Sequence, residues 1–567
     1  MGAIAPLAGS DIAGWVAAEF FWRGPLFFCC AIVYVGCSVR DPGVHDAIPP
    51  SDPLVIGPSP LRRLTNREYL NALRDLFPGV SVDVPQLPSD NAVAGFENTA
   101  EAQDPSDVRI ARTEEIANLY AEAATTCDGG VAALVGCVDV SSDDAAMRCG
   151  AQFVSSIGAR VFRRPLSDGE RDRLVASFDR WRTALDFDAA VQLTLSAMLQ
   201  SPQFLYRPEP APQARSGDPV VDVEPYAMAS RLSFFLWERA PDDLLLQAAL
   251  KNELHTEAQV REQAQRMVRD ERARAVLWSF HRQWLGLDRI LLDEHSGRTD
   301  EVDPHWNAKS QASASLELER FVTNVLSEGG TLRDLLTSRR AWINGEMARI
   351  YGVSAPPDPT TWLEVSLPPT ERAGILTRAS FLAAFAHRGA TSPPVRGNGV
   401  QLRFLCELPT SPPPGVDLSQ PKPAPGDGPQ TNRMLFETRT KPEACQSCHA
   451  ALNGFGFGFE HYSAAARYQT HENGLPIDAR GVIYGTDVDA PFNGAIELSE
   501  ALSRSVAVQK CATQQWVRYA LGRLATTGEA ALVADLGRQF LASGGDVRDL
   551  MVRIAASPSF RRREAEQ

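Results

Sequence analysis

Apolar residues recur at helical spacing along most of the chain. Tyr69, Leu73 and Leu76, for example, lie three or four positions apart, which places their side chains on one face of an α-helix. Alternation of apolar and polar residues, the pattern of a half-buried β-strand, is almost absent from residues 61–353. The pattern therefore predicts helices throughout this part of the chain.

Capping residues and prolines indicate where helices start and where domains end. Thr65 with Glu68, and Ser167 with Glu170, form capping boxes that satisfy backbone N–H groups at helix starts. Proline-rich stretches interrupt the helical pattern and mark boundaries. The chain then divides into residues 1–37 (a signal peptide), 38–60 (a linker), 61–125 and 126–207 (two helical domains), 208–224 (a linker), 225–353 (a third helical domain), 370–491 (a domain with candidate chemistry) and 492–567 (a C-terminal helical domain).

The clearest strand pattern lies late in the chain. Residues 475–492 contain Val482-Ile-Tyr and a Gly-Thr-Asp turn, which favour a short hairpin. The predicted fold class is therefore mainly α. It consists of several consecutive helical domains, with a small irregular or β-hairpin element after the segment Cys445–His449.

Composition and charge indicate a globular protein of several domains and argue against two kinds of partner. A chain of 567 residues is too long for a single hydrophobic core and predicts several domains. Its 44% hydrophobic and 22% charged residues are typical of globular proteins. The net charge of −14 argues against nucleic acid or an anionic membrane surface as the main partner.

The first forty residues carry an export pattern. Arg23 precedes an apolar run, residues 26–36, which is too short to span a bilayer and ends at Gly36-Cys37. A small residue before a cysteine resembles a bacterial lipoprotein signal, so Cys37 is the predicted lipidation site and the predicted membrane anchor. The alternative is a buried N-terminal helix. Export places the protein in the cell envelope, in the periplasm or on the outer surface.

Cys445-Gln-Ser-Cys-His449 is the strongest chemical motif. Two cysteines and an adjacent histidine at this spacing match the attachment site of a c-type haem. Cys445 and Cys448 would form thioethers with the haem vinyl groups, and His449 would be the proximal iron ligand. The predicted cofactor is one covalent haem c. Export supports this prediction because covalent attachment takes place outside the bacterial cytoplasm.

The glycine–phenylalanine run after the motif is a candidate wall of the haem site. Phe455, Phe457 and Phe459 alternate with glycines, and in an extended segment their rings would lie on one side. The glycines would leave room for a flat macrocycle beside the backbone. Three phenylalanines that fill a hydrophobic core explain the same run nearly as well.

The turn-rich loop from His387 to Gly397 is a second candidate wall. Either Arg388 or Arg396 in this loop can pair with a haem propionate. Four side chains are candidates for the sixth iron ligand, and the sequence does not rank them: His461, His471, Met434 and His387.

The remaining cysteines predict one disulfide, and a second is possible only under a condition on the packing of the C-terminal segments. The cysteines after Cys37 are residues 127, 137, 149, 406, 445, 448 and 511, so a haem would leave at least one unpaired. Cys137 and Cys149 flank a polar loop and are predicted to pair in an oxidising compartment. Cys406 and Cys511 can pair only if the two C-terminal segments pack together.

Several motifs together resemble a known family. In chain order they are Leu61-Arg-Arg-Leu-Thr-Asn-Arg-Glu-Tyr69, Phe162-Arg-Arg-Pro-Leu-Ser167, Ser230-Arg-Leu-Ser-Phe-Phe-Leu-Trp237, Thr391-Ser-Pro-Pro-Val-Arg-Gly397, Cys445–His449 with Gly456-Phe-Gly-Phe-Glu460, and Arg518-Tyr-Ala-Leu-Gly-Arg523. This arrangement resembles large exported bacterial proteins built from serial domains of unknown function, with a cytochrome-c-like CxxCH motif. The resemblance implies five consecutive domains with the motif in the fourth, and it implies no particular reaction. Where the family usually has Met-Asp-Pro, this chain has Leu452-Asn453-Gly454.

Three functions fit these observations. The first is an envelope-anchored c-type haem protein that passes electrons to an unknown redox partner. With an open sixth position it would be a haem-dependent oxidoreductase without an assignable substrate. The second is a surface binding or scaffold protein in which the haem motif is structural or vestigial. The third is a redox disulfide between Cys445 and Cys448 or, with His449, part of a zinc site, although the sequence shows neither a βαβ context nor a second CxxC.

Overall fold

Helices make up most of the structure, a computed structural model that describes residues 56–103, 105–127, 129–137, 140–210, 219–288, 306–387, 390–407 and 421–565. Helix accounts for 59% and strand for 7%, and the strands pair in two-stranded sheets. The predicted mainly α class is confirmed. Within these ranges, no helix has both the length and the apolar character needed to cross a bilayer.

The helices of the first region pack around one hydrophobic core. Its helices are α1 (Asn66–Leu76), α2 (Asp107–Thr126), α3 (Gly130–Val135), α4 (Asp143–Val161), α5 (Asp168–Ala184), α6 (Phe187–Leu199) and α7 (Pro202–Leu205). Both predicted capping boxes are present, at Thr65 before α1 and at Ser167 before α5. Strand β1 (Arg62–Arg63) pairs with β2 (Tyr206–Arg207) and closes the region. Because buried residues from Leu64 to Phe204 form one cluster, the domains predicted at 61–125 and 126–207 share their core.

A larger core joins the rest of the chain. Its helices are α8 (Pro225–Trp237), α9 (Asp243–Leu250), α10 (Glu257–Met267), α11 (Ala273–Trp284), α12 (Ala308–Ser327), α13 (Leu332–Thr337), α14 (Gly345–Tyr351), α15 (Ala379–Ala384), α16 (Pro393–Phe404), α17 (Asn432–Thr440), α18 (Glu443–Gly456), α19 (Gly494–Leu502), α20 (Val506–Leu521), α21 (Ala530–Ala542), α22 (Val547–Ala556) and α23 (Pro558–Arg561). Buried apolar residues from Val223 to Phe560 form one continuous cluster, which also takes in Phe96 from the first region.

Short antiparallel strand pairs fasten distant parts of this larger unit. Strand β3 (Val220–Asp222) pairs with β10 (Arg562–Glu564), and β4 (Arg340–Ile343) pairs with β5 (Leu363–Ser366). After the CxxCH segment, β6 (His471–Glu472) pairs with β7 (Leu475–Pro476), and β8 (Arg480–Val482) with β9 (Pro491–Asn493). The second pair, β8 with β9, lies where a short hairpin was predicted, and the first pair adds a small hairpin directly before it.

Two disulfides cross-link helical segments within the described part of the chain. Cys137 bonds to Cys149 in α4, which confirms the predicted pair. Cys406, just after α16, bonds to Cys511 in α20 across a sequence separation of 105 residues. The two C-terminal segments therefore do pack together, which was the condition for the second pair. Cys127 remains an exposed thiol.

Candidate functional site

The segment Cys445–His449 forms the first turns of α18, which begins directly after Pro442. Positions three and four apart share one face of a helix, so Cys445, Cys448 and His449 extend from the same side. All three residues are partly exposed. Both cysteines are thiols and not members of a disulfide. The motif is thus presented at the surface on a single helix face.

The imidazole of His449 is held from one side by a buried amide. His449 Nδ1 lies 3.2 Å from Oδ1 of Asn453, one turn further along α18. Asn453 Nδ2 donates to Thr440 Oγ1 at 3.0 Å, and the Thr440 hydroxyl donates to the carbonyl oxygen of Phe436 at 2.7 Å. Asn453 and Thr440 are both buried, so α17 and α18 are joined by this polar contact beneath the histidine.

The donor set fits a c-type haem. Covalent attachment needs two thiols, and axial ligation needs an imidazole nitrogen with an available lone pair. Cys445 and Cys448 supply the thiols, and His449 Nε2 forms no hydrogen bond to the described residues. A zinc site gains no support, because the described ranges contain no group of three or more His, Cys, Asp or Glu side chains that could hold a metal ion.

The three phenylalanines after the motif do not lie on an extended segment. Phe455 belongs to α18, and Phe457 and Phe459 belong to a 3-10 helix that follows it directly. All three rings are buried, and the guanidinium of Arg433 lies 4.3 Å from the centre of the Phe457 ring. The extended wall was therefore a wrong prediction. The rings fill the interior because helical structure continues through the intervening glycines.

Gly397 and Gly456 allow α16 and α18 to cross at close range. A Cβ atom at Gly397 would lie 1.8 Å from the carbonyl oxygen of Leu452, and one at Gly456 would lie 1.9 Å from that of Pro393. Such distances leave no room for a side chain. Both glycines bring two helices together, and Gly456, one of the glycines after the motif, does not leave space for a macrocycle, contrary to the prediction. The crossing also fixes the direction in which α18 presents its thiols and imidazole.

Arg396 has a structural role that differs from the predicted one. The side chain is fully buried, and its guanidinium donates to the carbonyl oxygens of Phe459, Tyr462 and Ser463 at 2.7–2.9 Å. These bonds hold the turn after the 3-10 helix in place. A propionate partner must instead reach the haem edge, so Arg396 is withdrawn as a candidate. The other predicted partner, Arg388, lies outside the described residues.

The four candidate sixth ligands lie in different surroundings. His461 is partly buried, with Nδ1 2.9 Å from the carbonyl oxygen of Gln469, and it stacks on Tyr468. The other three side chains are exposed, with His387 just after the end of α15, Met434 on α17 and His471 on β6. Met434 therefore lies on the helix that packs beside α18. The choice among the four stays a prediction.

A buried carboxyl lies eleven positions after His449 in the chain and has no role in the sequence-based predictions. Glu460 is only 4% exposed and accepts a hydrogen bond from Asn432 at 3.3 Å, while its Oε1 atom has no partner among the described residues. The Asn432 backbone N–H donates to a second carboxylate, Glu472, at 2.7 Å. Burial, with a smaller contribution from the Glu472 carboxylate, raises the pKa of Glu460 to about 7, against the opposing effects of Arg396, the Asn432 hydrogen bond and Arg433.

This raised pKa predicts a pH-dependent stability. A carboxyl with a higher pKa in the folded state stabilises the fold below its unfolded pKa, and that contribution is lost as the pH rises through about 7. We expect the free energy of unfolding of the wild type to fall by roughly 3 kcal/mol relative to Glu460→Gln between about pH 4.5 and pH 8. Urea unfolding of both proteins across this range measures the difference. The prediction would be contradicted if the free energy of unfolding of the wild type, relative to that of Glu460→Gln, stayed constant or rose with pH.

Family models match successive parts of the chain, and each describes a protein of unknown function. DUF1587 matches residues 62–126, DUF1595 residues 149–209, DUF1592 residues 223–353, DUF1588 residues 372–472 and DUF1585 residues 489–560. The segment Cys445–His449 falls within the fourth, as the resemblance implied. No curated protein and no solved structure is significantly similar to the chain.

Proposed function

Because this protein is a series of five domains of unknown function with the CxxCH segment in the fourth, we propose that it is an envelope-anchored c-type haem protein. Its role would be electron transfer or haem-based redox chemistry. The observation that carries the proposal is the shared helix face on which two thiols and an imidazole are presented.

The chain's own residues account for how such a haem would be held. Cys445 and Cys448 would attach the macrocycle, and His449 Nε2 would bind the iron. The bound haem would supply one-electron chemistry. The close crossing of α16 over α18, which only glycine permits at positions 397 and 456, would set the orientation of the attachment face.

The proposed location outside the cytoplasm is supported by the cysteines. Two disulfides, Cys137–Cys149 and Cys406–Cys511, suit an oxidising compartment. Anchoring through a lipid on Cys37 remains part of the proposal, and this residue lies outside the described ranges. An unknown redox partner in the envelope would exchange electrons with the exposed face of α18.

A scaffold or binding protein with a structural or vestigial motif is the second candidate. The observation in its favour is the first helical region, residues 62–207, which has its own hydrophobic core and supplies none of the haem-attaching residues. Under this alternative, mutation of the motif would leave binding intact.

Covalent haem attachment tests the proposal directly. We expect the full chain, exported from a host with c-type maturation machinery, to carry a Soret-absorbing haem that stays attached under denaturing conditions. Cys445→Ala/Cys448→Ala should lose this species completely, because both thioether-forming sulfurs are removed. Cys127→Ala is the matched control, since it removes an exposed thiol outside the site and should retain full haem.

Two results would overturn the proposal. One is a wild-type protein without covalent haem, and the other is a double variant that keeps it. The reduced spectrum then separates the two haem roles. A shift on addition of carbon monoxide indicates an open sixth position and redox catalysis, whereas an unchanged low-spin spectrum indicates an electron carrier.

A further inference from the structure

The hydrogen bonds beneath His449 run in one direction only. The carbonyl oxygen of Phe436 can only accept, so the hydroxyl of Thr440 must donate to it. Thr440 Oγ1 then accepts from the Asn453 amide, which assigns the NH₂ group of Asn453 to this side. The oxygen of the same amide therefore faces His449 Nδ1.

The direction of this chain decides the tautomer of the histidine. An amide oxygen has no proton to give, so His449 Nδ1 must carry the proton of that hydrogen bond. A neutral imidazole protonated at Nδ1 has its lone pair on Nε2, the nitrogen on the far side of the ring. Nε2 is also the nitrogen that forms no hydrogen bond to the described residues.

We infer that Asn453, oriented by Thr440, is a positioning residue that holds His449 with Nε2 ready to bind iron. The role of Asn453 toward iron rests on the proposed haem function, whereas the hydrogen bonds that orient His449 are present in the fold without haem. Asn453 is 6% exposed, so water competes little for the Nδ1–H bond. Outer hydrogen-bond partners of this kind fix ring orientation and tune the basicity of a ligating imidazole.

The neutral amide also sets how strongly the histidine would donate to iron. A carboxylate at position 453 would accept a stronger, charge-assisted hydrogen bond from Nδ1–H and make Nε2 more basic. A more basic ligand favours the oxidised iron. Asn453→Asp, which is nearly isosteric, is therefore expected to shift the haem midpoint potential to more negative values without loss of covalent haem.

The first test uses the haem-free full chain, so it does not depend on the proposed function. With selective ¹⁵N-histidine labelling and His449→Gln for assignment, His449 should be protonated at Nδ1 at about pH 8.5, where free imidazole is neutral. Asn453→Leu should change this to the Nε2–H form that predominates in water. Thr438→Val is the matched control, because Thr438 lies on α17 and donates to its own helix at 2.8 Å but is exposed.

The second test uses the haem-loaded protein and redox titration. Asn453→Asp should lower the midpoint potential, and Thr438→Val should leave it unchanged. The inference would be overturned if His449 of the wild type were protonated at Nε2, or if Asn453→Asp left the midpoint potential unchanged. If Asn453→Leu does not fold, the midpoint potential of Asn453→Asp still tests the inference. Absence of covalent haem would instead overturn the proposed function, while the tautomer of the haem-free chain is still measured.

Discussion

Replacement of Arg378 by methionine is expected to lower the free energy of unfolding by about 3–5 kcal/mol, the range for breaking a buried ion pair. Arg378 and Glu317 are both fully buried, and Arg378 Nη1 lies 2.8 Å from Glu317 Oε1. The substitution leaves the carboxylate of Glu317 without its cation in a region that water does not reach. Among the described residues, the hydroxyl of Tyr351 would remain as a hydrogen-bond donor to Oε2, at 3.0 Å, and the charge of Arg372 would offset part of the loss.

The arginine also connects three parts of the fold. Its guanidinium donates to the carbonyl oxygens of Arg340 and Gly374, at 2.6 and 3.2 Å, in addition to the carboxylate on α12. Urea unfolding measures the loss. Arg340→Met is the matched control, because the Arg340 side chain is 36% exposed and its pairs with Glu328 and Glu364 lie at the surface.

Surface pairs of this kind contribute at most about 1 kcal/mol, so the control should remain close to the wild type. A double variant, Arg378→Met/Glu317→Leu, should recover a large part of the loss, because it removes the uncompensated charge together with its partner. If Arg378→Met were no more destabilising than Arg340→Met, the buried pair would not have the role assigned to it.

Gly456→Ala is expected to destabilise the protein by about 3 kcal/mol, the upper part of the usual range for overpacking a core. The added Cβ atom would lie 1.9 Å from the carbonyl oxygen of Pro393, and a backbone atom cannot rotate away as a side chain can. Thermal unfolding measures the effect. In the haem-loaded protein, the same change should also lower the yield of covalent haem, because α18 must move away from α16.

Gly537 offers the matched control for this prediction. It lies inside α21, and a Cβ atom there would meet only Thr513 Oγ1 at 3.9 Å. Gly537→Ala should therefore stabilise the fold by about 0.5–1 kcal/mol through helix propensity alone. Equal effects of the two substitutions would show that the helix crossing is not as tight as described.

Local features of the fold were predictable from the sequence because they depend on neighbouring residues. Thr65 and Ser167 occur at the predicted helix starts because a capping box involves residues only three positions apart. Cys445 and His449 share one face for the same reason, since the spacing of the motif matches the helical repeat. The sequence was also sufficient for the Cys137–Cys149 pair.

Features that depend on distant contacts were not predictable. The alternation of Phe455, Phe457 and Phe459 was interpreted as an extended segment, but Gly456 is a helix-packing residue whose contact is Pro393, 63 positions earlier. Arg396 contacts carbonyl oxygens of Phe459, Tyr462 and Ser463, and nothing in the chain near Arg396 indicates this. The buried Glu460 likewise has its hydrogen-bond partner, Asn432, on α17, 28 positions earlier in the chain.

The pairing of β3 with β10 has a consequence for the order in which the chain can fold. Strand β10 ends at Glu564, so the sheet and the core that extends to Phe560 can form only after the polypeptide has been made as far as these residues. Contacts between residues so far apart in sequence slow folding and expose apolar surface for longer. The boundaries of the five family matches are thus unsuitable points at which to truncate the protein for expression, because fragments cut there would lack part of a shared core.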